Sequence, residues 1–210
     1  MEVIYCGDDK CIICKADVYQ EGSLCRNCLR SIRECIDSNC LNHNNINIKC
    51  YSSAYYSNVI RELVIRMKYK NDYKSAEILA SLMLKVIERD SIKADFITFV
   101  PVSKGTMNKR GYNQSELLAK IISHKAKIKL ADSLKKVNDT RDQIGLDKKG
   151  RWENIKDNFK LRSDIDVKNK SFILVDDVIT TGATAFWCSY TLIKKGASKV
   201  IVLTAAKSRV

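Results

Sequence analysis

The sequence predicts an α/β domain with a parallel sheet, preceded by a small cysteine-rich module. Three observations favour this class. Apolar segments with strand character alternate with segments of helical periodicity. Eight of the nine cysteines lie in the first 50 of 210 residues. Apolar residues make up 45% of the chain, enough for a core, and the single proline and eight glycines exclude a collagen-like or low-complexity chain.

The N-terminal module carries two Cys-x-x-Cys knuckles separated by ten residues. Each knuckle places two sulfur atoms on one tight turn, and two facing knuckles supply a tetrahedral zinc site with zinc–sulfur distances of about 2.3 Å. A segment this small buries little core, so bound metal would supply its folding free energy. A redox dithiol or unrelated core cysteines are the alternatives. The predicted ligands of a structural zinc ion (Zn2+) are Cys11, Cys14, Cys25 and Cys28.

The other cysteines of the module are irregularly spaced. We predict that they are thiols rather than a second metal site, because no further Cys-x-x-Cys pair occurs among them. They are Cys6, Cys35, Cys40 and Cys50, with His43 close by in the sequence. The asparagine-rich stretch 42–50 is typical of a linker. It divides the chain into a zinc-binding module at 1–50 and an α/β domain at 51–210.

Apolar periodicity predicts seven elements in this second domain. They are helices around 60–67 and over 75–89, a strand over 96–100, a helix over 114–123, a strand over 172–179, a helix over 183–195 and a strand over 199–205. The polar stretch 138–160 is predicted to be a long excursion, and a loop of that length in a compact domain is usually functional.

The most informative segment, 172–184, reads Phe-Ile-Leu-Val-Asp-Asp-Val-Ile-Thr-Thr-Gly-Ala-Thr. Its strand leads into Asp176 and Asp177, and a threonine-rich turn then opens a helix. A helix N-terminus binds phosphate through unpaired N–H groups and its positive dipole end, and Gly182 lets the backbone approach the anion. Adjacent carboxylates hold sugar hydroxyls directly or through Mg²⁺. Ligands bind outside the carboxyl ends of such strands, so the segment predicts a sugar-phosphate site.

These thirteen residues resemble the 5-phosphoribosyl-1-diphosphate (PRPP) motif of type I phosphoribosyltransferases. Further segments, together with the double knuckle, resemble the ComF family of competence proteins, and the resemblance spans residues 11–206. The segments and positions are Phe99-Val-Pro-Val-Ser-Lys-Gly105, Lys109-Arg-Gly-Tyr-Asn-Gln-Ser-Glu116, Arg141, Gln143, Leu146, Arg151, Asn154 and Phe159. The chain departs from the family's common Pro-Val-Pro pattern, because it has a single proline here, Pro101.

The resemblance implies a type I phosphoribosyltransferase fold whose PRPP site uses Mg²⁺ (Mg2+). Asp176 and Asp177 would bind the ribose hydroxyls and support the metal, and Ser103 and Lys104 would lie in the pyrophosphate loop. The turn that would cradle the 5-phosphate consists of Thr180, Thr181, Gly182, Ala183 and Thr184. Stretch 138–160 would be a lid that supplies cations for the pyrophosphate, with Lys148 among them. The candidate catalytic residues are Asp176, Asp177, Lys104, Arg141 and Arg151.

Basic charge is concentrated in the second domain. Residues 1–50 carry 6 basic and 7 acidic residues, whereas 51–210 carry 31 and 17, within a net charge of +13 for the chain. This excess favours an anionic partner, nucleic acid or a phosphorylated small molecule, although a lysine-rich genome gives the same composition. Candidate DNA contacts are Lys109, Arg110 and Tyr112. No apolar run approaches about 18 residues, and the start does not resemble a signal peptide, so a soluble cytoplasmic protein without membrane insertion is expected.

Three functions are compatible with the sequence. The ComF resemblance implies an accessory protein for uptake of single-stranded DNA in natural transformation, working with a helicase-like ATPase. A true phosphoribosyltransferase would instead transfer ribose 5-phosphate from PRPP to a base or nucleotide. A PRPP-sensing regulator is the third. A DNA-uptake protein should bind single strands with salt-dependent affinity, and an enzyme should release pyrophosphate from PRPP. A regulator should prefer a particular duplex sequence. No base-binding hood is recognisable, so the acceptor and the enzyme status stay open.

Overall fold

The computed structural model describes residues 10–18, 22–43, 45–137, 155, 158–163 and 165–208. These residues form a six-stranded sheet, a two-stranded antiparallel sheet and six helices. In chain order the elements are α1 (Arg26–Arg30), β1 (Asn39–His43), β2 (Ile46–Tyr55), α2 (Asn58–Tyr69), α3 (Tyr73–Arg89), β3 (Phe96–Phe99), α4 (Lys104–Arg110), α5 (Gln114–Ala126), β4 (Lys129–Leu130), β5 (Leu134–Lys136), β6 (Phe159–Leu161), β7 (Ser171–Ile179), α6 (Ala183–Lys194) and β8 (Lys199–Lys207).

The strand order of the main sheet is β1-β2-β8-β7-β3-β4. Strand β1 is antiparallel to β2, and all the other neighbours are parallel. The chain leaves β3 towards β4 on one side and leaves β7 towards β8 on the other. Such a reversal opens a crevice at the carboxyl ends of the two strands, where α/β sheets bind ligands.

Alternation along β7 builds a core on each face of the sheet. Ile173 and Val175 pack on the face covered by α2, α3 and α5, whereas Phe172 and Leu174 pack on the face covered by α6 and the β5–β6 sheet. Both faces of a parallel sheet must be covered, and its strands therefore read as continuous apolar runs. The predicted fold class, α/β with a mostly parallel sheet and a small N-terminal four-cysteine module, is confirmed.

All seven elements predicted for the second domain are confirmed, each with ends within three residues of the prediction. Their caps explain two of the starts. The Asp72 carboxylate accepts a hydrogen bond from the backbone N–H of Ser75 at the start of α3. The Asn113 side chain accepts from the N–H groups of Ser115 and Glu116 at the start of α5. Such side-chain oxygens satisfy N–H groups that the helix leaves unpaired.

The prediction that 42–50 is a linker is wrong, because most of this stretch is strand. Asn45 takes the left-handed turn conformation, with φ of 62°, between β1 and β2. Ile48 and Cys50 are buried and alternate with exposed residues, which is the pattern of a strand with one buried face. The asparagines of the stretch favour turns and so hide this pattern in the sequence. Strand β2 pairs with β8 from Lys49 to Tyr55 and so runs through the predicted domain boundary after residue 50. No helix in the described part of the chain is long and apolar enough to cross a membrane.

Candidate functional site

Two adjacent carboxylates end the buried part of β7, and the fold holds them differently. Asp176 is half-buried, and its Oδ1 accepts hydrogen bonds from the Ser115 hydroxyl at 2.9 Å and from the Asp177 backbone N–H at 2.9 Å. Asp177 is buried, and its Oδ2 lies 2.7 Å from the Lys68 Nζ. Its Oδ1 accepts from the backbone N–H of Val178 at 2.6 Å. Helices α2 and α5 therefore fix one carboxylate each.

Burial, followed by the negative charge of Asp177, raises the pKa of Asp176, which is about 7 when all its neighbours are included. The Ser115 hydroxyl, the Asp177 N–H and the charge of Lys68 oppose this shift by stabilising the ionised form. Asp176 is therefore a mixture of protonated and ionised forms near neutral pH. A cation bound beside the pair would favour the ionised form of Asp176 and release a proton.

A cleft follows the carboxylate pair and is lined by Asp176 and residues 178–185. Gly182 precedes α6 with φ of +80°, and a Cβ atom there would lie 2.7 Å from Leu41 Cδ2. The Ala183 N–H donates to the Thr181 Oγ1 at 3.4 Å. The first residues of α6 line this cleft, and the N–H groups at a helix start have no acceptor inside the helix. All seven residues predicted from the motif, Asp176, Asp177 and 180–184, thus lie at one edge of the sheet.

The loop after β3 lies at the same edge, because β3 pairs with β7 in register as far as Phe99 and Val175. The Val100 N–H donates to the Val175 carbonyl at 3.0 Å, and the Asn113 Nδ2 donates to the Val100 carbonyl at 2.9 Å. Ser103 then caps α4, its hydroxyl accepting from the Thr106 N–H at 3.2 Å. Lys104, the first residue of α4, is exposed. The predicted pyrophosphate loop therefore follows a strand that neighbours β7.

The predicted DNA contacts lie at the end of α4. Lys109 is exposed. The Arg110 guanidinium donates to the Gln114 Oε1 at 3.1 Å and lies 5.1 Å from the centre of the Tyr69 ring. The Tyr112 hydroxyl is buried and has no hydrogen-bond partner among the residues that the structure describes. Contact of these residues with DNA stays a prediction.

Several predicted residues lie outside the described part of the chain, namely Arg141, Gln143, Leu146, Lys148, Arg151, Asn154 and Cys6. Conversely, the structure brings three residues to the site that the sequence does not predict there: Lys68, Ser115 and Leu41. Ser115 belongs to the 109–116 segment of the ComF resemblance, and this membership indicates that Ser115 could contribute to the site. Nothing in the local sequence of Lys68 or Leu41 indicates their position.

Four cysteine sulfurs form the metal-ligand group found among the described residues, and all lie within 4.8 Å of one another. The Cys14 and Cys25 sulfurs are 3.5 Å apart. Zinc–sulfur bonds of about 2.3 Å at tetrahedral angles require sulfurs about 3.8 Å apart, so the donor set fits a structural zinc ion. Burial opposes ionisation of Cys11, but backbone N–H groups of both knuckles lower its pKa to about 6. Cys11 is therefore ready to bind as a thiolate.

The cysteine module shares a core with the α/β domain. Cys11, Leu24, Cys25 and Cys28 belong to the same buried cluster as the apolar faces of α2 and α3. The Arg66 guanidinium links the two parts, because it donates to the Ile12 carbonyl at 3.2 Å and pairs with Asp72 at 2.6 Å. The knuckles are thus packed against α3 and against α2, the helix that carries Lys68.

Comparison with solved structures finds similarity to phosphoribosyltransferases and to related PRPP proteins. The glutamine PRPP amidotransferase from B. subtilis is 19% identical, with a TM-score of 0.44, over 62% of this chain and 26% of that one. The purine phosphoribosyltransferase from Pyrococcus horikoshii is 18% identical, with a TM-score of 0.37, over 65% and 75% of the two chains. No protein-family model matches the chain.

Curated relatives align with most of the sequence. Competence protein F of Haemophilus influenzae is 29% identical over 95% of this chain and 97% of its own length. The DNA utilization protein YhgH of Salmonella typhimurium is 29% identical over 91% and 87%. Competence protein ComFC of Bacillus subtilis is 28% identical over 73% and 62%. With its four-cysteine cluster, the chain is a homologue of the ComF group of proteins: competence protein F, ComFC and YhgH.

Proposed function

We propose that this chain is a ComF-like accessory protein for uptake of single-stranded DNA, and that it binds Mg²⁺·PRPP or a related sugar phosphate. One observation carries the ligand proposal. Asp176 of β7 and the threonine-glycine turn at the start of α6 line one cleft at the carboxyl edge of a parallel sheet, and Asp177 is the next residue of the same strand. Homology to proteins named for competence and DNA utilization supports the role in DNA uptake.

Each part of the ligand has a group to recognise it. The N–H groups at the start of α6, with the Thr180, Thr181 and Thr184 hydroxyls, would bind the 5-phosphate. Asp176 and Asp177 would bind the ribose hydroxyls and Mg²⁺. Ser103 and Lys104, which follow the neighbouring strand β3, would bind the pyrophosphate. Arg141 and Arg151 stay predicted contributors from the lid.

A phosphoribosyltransferase is the second candidate, because the motif is intact and the loop after β3 lies beside it. Positioning and neutralisation of pyrophosphate would be its main catalytic contributions. An enzyme releases pyrophosphate when PRPP and an acceptor are both present, whereas a binding protein or a PRPP-sensing regulator does not. A helicase-like ATPase is the proposed protein partner of the DNA-uptake function.

Calorimetric titration of the zinc-loaded protein with Mg²⁺·PRPP tests the ligand site. We expect saturable binding that Thr184→Val weakens by about tenfold, because this variant removes one phosphate hydrogen bond and leaves the Lys68–Asp177 pair intact. Asp177→Asn should weaken binding further. Asp37→Asn, an exposed carboxylate outside the cleft, is the matched control. No binding by the wild-type protein would refute the PRPP site and leave the DNA-uptake role to be tested separately.

A further inference from the structure

A second groove, away from the cleft at the start of α6, has the composition of a nucleic-acid-binding surface. It runs between the second half of α6 and the strand β6 with the residues that follow it. We infer that this groove binds single-stranded DNA, an inference that rests on the DNA-uptake role proposed above and names the surface responsible.

The helical side of the groove is one continuous stripe. Trp187, Tyr190, Thr191 and Lys194 line it at helical spacing, so they lie on one face of α6, and Lys195 follows directly after the helix. The stripe passes from aromatic residues at its N-terminal end to basic residues at its C-terminal end. A single strand presents the same two features to a protein, bases that stack and phosphates that carry charge.

The aromatic part of the groove is rigidly held. The Tyr190 ring packs edge-to-face on Trp187, at 5.4 Å and 86°, and parallel to Phe186 at 6.3 Å. Trp187 is buried, whereas Tyr190 is partly exposed and can offer ring surface to a base. Every base has a π face, so stacking on a fixed aromatic ring binds single strands without a strong sequence preference.

Cations surround the aromatic part. Lys160 and Arg162 on the strand side and Lys194 and Lys195 on the helix side are all exposed. Among the described residues that line the groove there is no carboxylate. Lys160 of β6 also faces the exposed Lys135 of β5, a like-charge pair that an anion would stabilise. Two of these cations already have a contact: Arg162 pairs with Asp132 at 3.0 Å, and the Lys194 Nζ lies 6.0 Å from the centre of the Tyr190 ring.

The groove is separate from the sugar-phosphate cleft and shares no lining residue with it. Thr184 and Lys194 lie ten residues apart on α6, which corresponds to roughly 15 Å along the helix axis. Arg110 and Tyr112 are less available for DNA, because Arg110 is bound to Tyr69 and Gln114 and the Tyr112 hydroxyl is buried. The groove can therefore hold DNA while the cleft holds its own ligand.

The test measures binding of a dye-labelled 20-nucleotide oligo-dT by fluorescence anisotropy over a range of salt concentrations. Lys194→Gln/Lys195→Gln removes two phosphate contacts, so the affinity should fall less steeply with salt. The magnitude of the slope of log affinity against log salt should decrease by about 1.4. Tyr190→Ala should weaken binding by about fivefold or more through lost stacking, and Tyr190→Phe should not. A duplex should respond less to Tyr190→Ala, because its bases already stack on each other.

The matched control is Lys85→Gln/Lys93→Gln, which removes the same charge from exposed lysines on the α3 side of the sheet. Unchanged Mg²⁺·PRPP binding in each variant checks that the fold is intact. Equal effects of the two lysine pairs, or no effect of either, would refute the groove and leave the DNA-uptake proposal standing. A wild-type protein that binds no oligo-dT would refute both proposals.

Discussion

At the scale of single residues, the two aspartates of the motif have distinct environments although they are adjacent. Asp177 is paired with Lys68, whereas Asp176 has hydrogen bonds from neutral donors and the negative charge of Asp177 beside it. A half-buried acid with a neighbour of like charge keeps its proton to higher pH. The charge of Asp177 is therefore offset by Lys68, whereas an incoming cation would act mainly on the ionisation of Asp176.

Asp176 should make the stability of the protein depend on pH. Its pKa is about 7 in the folded protein and about 3.9 in the unfolded chain. Between these values the folded state binds more protons, so the contribution of Asp176 to the free energy of unfolding falls as pH rises from about 4 to 7. We expect the free energy of unfolding of Asp176→Asn to exceed that of the wild-type protein by about 2 kcal/mol at pH 8. This difference should become smaller as the pH falls to 4.

Urea unfolding at pH 4.5, 6, 7 and 8 measures this difference. Asp37→Asn, at an exposed position, controls for the change of one charge. Parallel stability curves for the wild-type protein and Asp176→Asn would contradict the raised pKa. Affinity for Mg²⁺·PRPP should also rise through pH 7, because Asp176 must ionise to bind the cation.

At the scale of elements, the connection from β7 to α6 determines the cleft. Gly182 adopts φ of +80°, a conformation that residues with a Cβ atom rarely take. A Cβ atom at this position would also lie 2.7 Å from Cδ2 of Leu41 on β1, so the Leu41 side chain would have to move. The turn is thus fixed both by local conformation and by an edge strand that is remote in the sequence.

Gly182→Ala should lower the free energy of unfolding by about 1–3 kcal/mol and weaken Mg²⁺·PRPP binding. Part of this loss comes from contact with Leu41, so Leu41→Ala in the same chain should recover stability relative to the sum of the two single variants. The remainder is backbone strain, which Leu41→Ala cannot remove. Urea unfolding of the two single variants and the double variant measures the coupling. Strict additivity would show that Leu41 does not restrict this turn.

At the scale of the whole molecule, the cysteine module and the α/β domain are joined by packing. The knuckles share a buried cluster with α2 and α3, and strand β2 takes residues from both sides of the predicted boundary at residue 50. Arg66 connects the first knuckle to the cap of α3. Metal at the knuckles would therefore stabilise α2, the helix that holds Lys68 against Asp177.

Removal of zinc should lower the melting temperature of the entire protein in one transition, on the order of 10 °C. Differential scanning calorimetry with and without a chelator measures the shift, and mass spectrometry of the purified protein measures the zinc content. Cys25→Ser should reproduce the effect, whereas Cys40→Ser, at an exposed cysteine outside the cluster, should not. Two separate transitions would mean that the module and the domain unfold independently.

The sequence alone determined the α/β class, the seven elements of the second domain, the four-cysteine cluster and the motif at 172–184. Each of these depends on local patterns, such as the helical spacing of Ile60, Leu63 and Met67 or the uninterrupted apolar run before Asp176. Only the tertiary structure decided what the motif contacts. Lys68, Ser115 and Leu41 reach it from α2, α5 and β1, and such contacts join positions that are tens of residues apart. The asparagines around 46–50 favour a turn, so local sequence does not predict the strand there. The structure pairs all five residues with β1, and Lys49 and Cys50 also with β8 at the far end of the chain, and this pairing outweighs the local turn preference.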